Sequence, residues 1–282
     1  MKKVASLEYG VIFKKAFSDP FVFTSFVRDI LGLEIEIETV ETGKEFDKPI
    51  GPVATKFDLY AEDKKNRIIV EIQRERRADH YDRFLHYHCA ALLEQVVQSG
   101  DYRPGLRVFT IVVLTAGDKH KRDVAITDFD PRDLKGVPLG EFQHKIVFLC
   151  PKYANAETPA QYREWLTAIN DSLDGEVEEG EYESPAVLQV FEAILADMVT
   201  PHERARMKDE YGDELLKQEK LEEGIALGRQ QGLQQGIQQG FEEGAKQTQF
   251  ETARRLLASG LDTSLIAQAT GLSISEVTDL AE

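Results

Sequence analysis

Cysteine is scarce: Cys89 and Cys150 are the only two in 282 residues. Each sits inside an apolar run, so a disulfide framework is excluded and two buried free thiols in a reducing compartment are expected. Long apolar runs are missing as well. None approaches the roughly 20 residues needed to span a membrane, and the start MKKVASLEYG has no apolar core of a secretory signal. A cytoplasmic location is the expectation. Basic surplus is the third absence. The net charge of −16 argues against a polyanionic partner for the chain taken as a whole. The charge is uneven, however. Residues 1–150 carry 23 Lys and Arg against 24 Asp and Glu, whereas residues 151–282 carry 11 against 26. The first half is thus compatible with a phosphate backbone and the second repels one. With 42% hydrophobic residues, the chain can bury a sizeable core in one or two domains.

The most informative stretch is Lys56–Gln73, KFDLYAEDKKNRIIVEIQ. It reads as two strands around a polar turn at Lys64-Lys65. That turn pairs position 58 with 71, so Asp58 and Glu71 face each other with Cβ atoms roughly 5 Å apart. Side chains alternate along a strand, so Gln73 shares the face of Glu71 while Ile72 takes the other. Two carboxylates so close repel unless a positive charge lies between them. Mg²⁺ or another divalent cation suits, being held by one or two carboxylates plus phosphate oxygens. Phe57, Leu59, Ile68, Val70 and Ile72 are apolar, which makes the hairpin central, and acids on a central strand need a reason. Lys64, Lys65, Arg67, Arg74, Arg76, Arg77 and Arg83 add local positive charge, with Arg76 and Arg77 among the candidate phosphate contacts. The bland alternative is a solvated hairpin edge rich in Lys. In phosphodiester hydrolysis, Asp58 and Glu71 would ligate the cation and Gln73 would orient a water by hydrogen bonding.

Around this hairpin the pattern is mixed. Val11–Phe17 and a second segment capped by Asp19-Pro20 and stopped by Gly32 read as helices. Ile35, Ile37 and Thr39 alternate as a half-buried strand, and Pro49 and Pro52 mark a loop. Asp79–Gln98 repeats apolar residues at three and four. Its His86 and His88 are two apart and diverge on a helix, so a transition-metal site is not expected; His80, His86 or His88 packing in a polar cleft is. Leu106–Leu114 and Lys145–Cys150 read as buried strands. Thr158-Pro159, Ser184-Pro185 and Thr200-Pro201 each announce a helix, and the acidic Asp174–Glu183 reads as a solvated loop. The fold class for residues 1–200 is α/β, a mixed sheet flanked by helices.

Beyond that lie a glycine-repeat segment (201–247) and a small helical unit (248–282). Gly224, Gly228, Gly232, Gly236, Gly240 and Gly244 recur every four residues, with Ile225, Leu233, Ile237 and Phe241 following in phase. Six interior glycines cost a helix on the order of 6 kcal/mol against alanine. Close packing against a partner helix would offset this, so a homodimer through Gly224–Gly244 is expected; a flexible linker is the other reading. The ending LIAQATGLSISEV has helix-turn-helix spacing. Its second helix, Ser273–Glu282, carries Glu276, Asp279 and Glu282 and no Lys or Arg. Base readout normally uses Arg, Lys, Asn or Gln, so a packing module of that geometry is the preferred reading of this unit.

An acid, twelve residues, then Glu-Ile-Gln on a hairpin resembles the PD-(D/E)XK nuclease superfamily. VIFKKAF at Val11–Phe17, DRFLHYHCAALLEQVVQSGDY at Asp82–Tyr102, the glycine repeat and the ARRLLASGLD and IAQATGLSISEV segments are similar to its Rpn branch of recombination-promoting nucleases and transposase-like proteins. The resemblance implies a restriction-endonuclease-like core, a Mg²⁺-dependent DNA endonuclease, and a link to DNA recombination or mobile elements. Carried over, Asp58 and Glu71 are metal ligands, Gln73 is the water-orienting group, and Arg83 and Tyr87 contact phosphate. Where relatives place an acid before the opening Phe-Lys, this chain has Gly10, and Glu8 is the candidate replacement ligand. The alternative is a DNA-handling or assembly module whose nuclease site is weak or inactive.

Overall fold

The structure is a computed structural model and describes residues 1–46, 55–74, 80–96 and 101–280, with backbone alone at 214–215 and 217–219. Its contacts divide the chain into two units, Met1–Glu210 and Tyr211–Glu282.

The first unit opens with strand β1 (Lys2–Lys3) and helices α1 (Gly10–Phe17) and α2 (Pro20–Leu31). Asp19 caps α2 as its sequence predicts: the carboxylate accepts from the Phe21 and Val22 amides at 2.9 and 3.1 Å, and Gly32 ends the helix at φ +66°. There follow β2 (Glu41–Glu45), β3 (Lys56–Glu62), β4 (Asn66–Gln73), α3 (His80–Leu93), β5 (Arg107–Leu114), β6 (Val124–Asp128), β7 (Lys145–Leu149), α4 (Ala160–Asp171), β8 (Glu176–Val177), α5 (Pro185–Ala193) and the start of α6 (Pro201–Ala258). Six strands form one mixed sheet in the order β2-β3-β4-β5-β7-β6. The pairs β4–β5 and β5–β7 are parallel, and the others antiparallel. This is the α/β architecture expected.

Alternation along β4 decides what lies on each side. Ile68 and Val70 join the large core with Leu59, Ile111, Val113, Val147 and Leu149 under α1, α2, α4 and α5. Ile69 turns the other way, against Ala91 of α3. In the large core Phe17 lies 5.1 Å from Phe26 and 5.9 Å from Trp165, whose indole N–H donates to Asp29 at 2.8 Å. Such ring pairs add about 0.5–1.5 kcal/mol each beyond the area they bury.

The structure departs from the sequence reading at five points. Residues 33–40 form no strand; the strand is β2, beginning at Glu41. Ile35 is buried and Ile37 packs against the core, so the alternation reported burial in an extended segment without a ladder. Strand β6 was not foreseen because its VAITD sequence sits on an exposed edge, with Ile126 54% exposed. Asp174–Glu183 is not simply a solvated loop: β8 pairs with β1, Val177 and Tyr182 are buried, and the acids Glu178 and Glu179 take the N-terminal ammonium and Lys2. Helix α4 takes Pro159 as its cap, and the Thr158 hydroxyl donates instead to Asp123 at 2.6 Å. Helix α3 also stops at Leu93, with Glu94 and Gln95 in a turn. Pro49 and Pro52 lie outside the described residues.

The second unit is the remainder of α6 with α7 (Thr263–Thr270) and α8 (Ile274–Asp279). Ala253, Ile266, Ala267, Leu272 and Val277 make its core. A capping box joins Ser273 and Glu276 at the start of α8, and Gly271 supplies the turn at φ +77°. No helix among the described residues is long and apolar enough to cross a membrane.

Candidate active site

The β3–β4 ladder has the register read from the sequence: Leu59 pairs with Val70 and Tyr60 with Ile69, which places Asp58 across from Glu71. Two hydrogen bonds lock the pair. The Asp58 amide donates to Glu71 Oε1 at 3.0 Å, and the Ile72 amide donates to Asp58 Oδ2 at 3.1 Å. Asp58 Oδ1 takes a third partner, the Lys14 ammonium of α1, at 2.7 Å. Of the four carboxylate oxygens, Glu71 Oε2 alone has no hydrogen bond among the described residues. Glu71 is 2% exposed. Burial first, and the Asp58 charge second, hold its carboxyl well above the usual carboxylate range, against the Asp58 amide, Arg83 and Lys14.

Gln73 lies two residues further along β4, on the Glu71 face, and is buried. Its side-chain carbonyl accepts from Arg83 Nη1 at 2.9 Å. Arg83 also donates to the Tyr87 hydroxyl at 3.3 Å, with its guanidinium carbon 5.2 Å from the centre of the Tyr87 ring. Residues 83 and 87 are one helical turn apart on α3, so both reach the same place. The structure thus gathers Asp58, Glu71 and Lys14 into one cluster and Gln73, Arg83 and Tyr87 into a second. Both lie at the C-terminal end of β4, where β5 runs parallel to it. Ligands of open α/β sheets bind at that end of the strands.

Glu8 is placed differently: its carboxylate pairs with Arg74 Nε at 3.3 Å. Among the described residues no group of three or more His, Cys, Asp or Glu side chains is arranged to hold a metal ion, so Glu8 does not complete a three-acid site with Asp58 and Glu71. A carboxylate does reach Gly10, from far along the chain: Glu210 of α6 accepts from the Gly10 and Val11 amides at 2.9 and 3.3 Å, capping α1. Arg76 and Arg77 lie outside the described residues. His88 is fully buried, bonded through Nδ1 to the Thr110 hydroxyl at 2.9 Å and stacked on Phe129. His80 is buried against Tyr81, and His86 is exposed. Cys150 is a buried free thiol and Cys89 a half-buried one.

Two functional candidates escaped the sequence reading. Lys14 stands inside the VIFKKAF segment, between residues that pack in the core, and an ammonium there must find an acid; only the fold says which. Glu210 is 200 residues from its partners, beyond any local signal.

The chemistry of the donor set favours a hard divalent cation. Two carboxylates are drawn together, one already holds a cation, and the other keeps an unpartnered oxygen and is strained by like charge. In comparisons with known proteins, residues 246–282 match the family model described as the Rpn/YhgA-like nuclease family, C-terminal HTH domain. No curated protein matches, and no solved structure does. The matched segment covers α7 and α8 with the end of α6, and a helix-turn-helix domain points to DNA as a partner. The match agrees with the helix-turn-helix geometry read from the sequence, and α8 carries no Lys or Arg. Over residues 246–282 the chain is thus similar to the C-terminal helix-turn-helix domain of the Rpn/YhgA-like nuclease family.

Proposed function

We propose that the first unit is a divalent-cation-dependent DNA endonuclease of the PD-(D/E)XK type. The observation that carries this reading is the Asp58–Glu71 pair, fixed by reciprocal main-chain bonds and neutralised by Lys14. Asp58 and Glu71 would hold Mg²⁺ or a similar ion. When bound, such an ion supplies Lewis acidity toward a phosphoryl oxygen and acidifies water. Lys14 balances the charge of Asp58 in the resting site and, once Asp58 is otherwise neutralised, offers its ammonium to a phosphate oxygen. Arg83 and Tyr87 form a donor pair beside Gln73 that suits a neighbouring phosphate. Gln73 holds Arg83 through its carbonyl, and this engagement weighs against Gln73 orienting water by the same oxygen.

The test is nicking of supercoiled plasmid by pure protein. Nicking that needs Mg²⁺ or Mn²⁺, stops with chelator, and vanishes in Asp58→Ala and Glu71→Gln supports the assignment. Variants that cut as well as wild type would overturn it, and a wild type that never cuts would favour a DNA-handling module without turnover. Matched RNA substrates separate a deoxyribonuclease from a ribonuclease. A service in recombination or mobile elements rests on the family likeness and is read from recombination frequency in cells expressing wild type against Asp58→Ala.

The second unit is proposed to pair two copies of the chain. Ile225, Leu233, Ile237 and Phe241 are 62–79% exposed, and no glycine from Gly224 to Gly244 has another part of the chain within 4 Å of a built Cβ. Nothing among the described residues offsets the helix cost of those glycines, and a second copy would. Deleting Leu221–Lys246 should convert a dimer to a monomer by light scattering; an unchanged mass defeats the idea.

A further inference from the structure

Beside Lys14, within the first unit, lies a cleft of about 540 Å³. Its walls come from α1 (Val11, Lys14, Lys15), the first turns of α6 (His202, Glu203, Arg206) and the β2–β3 edge (Thr42, Lys56). Four cations line it against one carboxylate. In a chain of net charge −16, that concentration calls for a reason.

The four cations are not equally committed. Lys15 is tied to Glu203 at 3.2 Å and to the Met198 carbonyl at 2.6 Å, and it fixes α6 to α1. Lys14 is held by Asp58. Among the described residues Lys56 pairs with Glu45 alone, at 3.0 Å, and both ends of that pair are more than half exposed. Such a pair is worth little and exchanges readily for another anion. Arg206 is exposed and has no ion pair or hydrogen bond among the described residues. The cleft is also shaped around Lys56. Gly43 sits at φ +68°, and a Cβ built there would come within 3.2 Å of Lys56 Cε. The glycine therefore leaves room for the lysine stem to lie over β2.

We infer that this cleft is the track for the DNA strand on one side of the reacting phosphate, with Lys56 and Arg206 taking two flanking phosphates and Lys14 marking the step to Asp58. The inference rests on the proposed nuclease reading for its direction, toward Asp58. The alternative for such residues is a merely solvated basic rim. Phosphates bound by point charges release counterions, so each contact steepens the fall of affinity with salt by about 0.9 in log–log slope on duplex DNA.

The experiment uses the full chain, a fluorescent 20-base-pair DNA and chelator to silence any cutting. Anisotropy titrations at several KCl concentrations give the slope. Lys56→Ala with Arg206→Ala should lower its magnitude by about 2 and weaken binding roughly tenfold near 0.1 M salt. A control pair of exposed cations outside the cleft, Arg103→Ala with Lys135→Ala, should leave the slope at the wild-type value. Binding through the C-terminal unit is common to all variants and cancels in the comparison. A wild-type slope in the cleft pair, or an equal drop in the control pair, overturns the track. The readout is independent of catalysis: a lowered slope without plasmid nicking keeps the track and sinks the nuclease, while nicking with an unchanged slope does the reverse.

Discussion

Replacing Lys14 by Met separates the electrostatics of the site from its packing. Methionine keeps an unbranched stem of similar reach and removes the charge, so what changes is the pair with Asp58. That pair spans 2.7 Å, with side chains 28% and 22% exposed. Two charges about 4 Å apart at an effective dielectric of about 20 attract by roughly 4 kcal/mol, and desolvation of both groups returns most of it. The net value falls between an exposed pair, about 0–1 kcal/mol, and removal of one partner from a buried pair, about 3–5 kcal/mol. A loss of about 1–2 kcal/mol is expected in chelator. For a unit of this size, each kcal/mol lowers the melting temperature by about 2–4 °C. The repulsion between Asp58 and Glu71 is then without its nearest cation, and a divalent ion has no ammonium to displace from Asp58 Oδ1. Mg²⁺ should therefore bind Lys14→Met more tightly, by about tenfold for each 1.4 kcal/mol recovered. Cutting should nonetheless slow, on the order of tenfold or more, because a donor aimed at developing charge has been lost. Melting in chelator, calorimetric titration with Mg²⁺ and plasmid nicking read the three effects. Equal melting and equal Mg²⁺ affinity in variant and wild type would refute the argument that Lys14 stands in for a cation at Asp58.

Other predictions follow from single contacts. His88 has its imidazole pKa pushed down to about 3, by burial first and by His144 second. The unfolded chain therefore takes up a proton there between about pH 6.5 and 3 that the folded chain refuses. Its contribution is fully present above about pH 6.5 and is lost as the pH falls, by at most about 1.4 kcal/mol per unit; the slope of denaturant-measured stability over pH 6.5–4.5 should shrink in His88→Phe, and an unchanged slope would contradict this. Glu210→Ala removes the carboxylate cap of α1 and should destabilise the first unit by about 1 kcal/mol in chemical denaturation, with Glu210→Gln milder. Gln73→Lys takes away the acceptor of Arg83 and sets a buried ammonium beside it, so it should lower stability by about 1–3 kcal/mol and fail to raise nicking; Arg83→Leu in the same chain should recover part of the stability.

Much of the fold was legible because its signals are local. The Lys64-Lys65 turn fixed the β3–β4 register, Asp19-Pro20 and Gly32 bounded α2, and the β-branched run at Leu106–Leu114 announced a strand buried on both faces. What escaped was non-local or carried no periodicity. Strand β6 is short and lies on an exposed edge, and the ladder partner of β1 is some 170 residues away at Val177. Ile35 and Ile37 alternate as a strand would, yet hydrogen bonding depends on a neighbour the alternation cannot name. The acid pair was legible for the same reason as the hairpin. Lys14 and Glu210 were not, because a helix face says which side chains are half-buried and not which charge they will meet.

The glutamine at position 73 has a physical explanation in the contacts around it. A lysine at this buried position would direct its ammonium toward Arg83, with no carbonyl left to hold the guanidinium. Gln73 offers that carbonyl and keeps Arg83 and Tyr87 in one place. The positive charge that the acid pair needs arrives instead from a different element, on Lys14 of α1. α1 is in turn secured at its first turn by Glu210 and at its last by Lys15 bonded to Glu203. For the proposed chemistry the strand residue and the helix residue then divide two tasks, one fixing a phosphate-binding arginine and the other supplying charge at Asp58. A change at Glu210 or Glu203 should accordingly reach the acid pair through the placement of Lys14, although neither residue touches it.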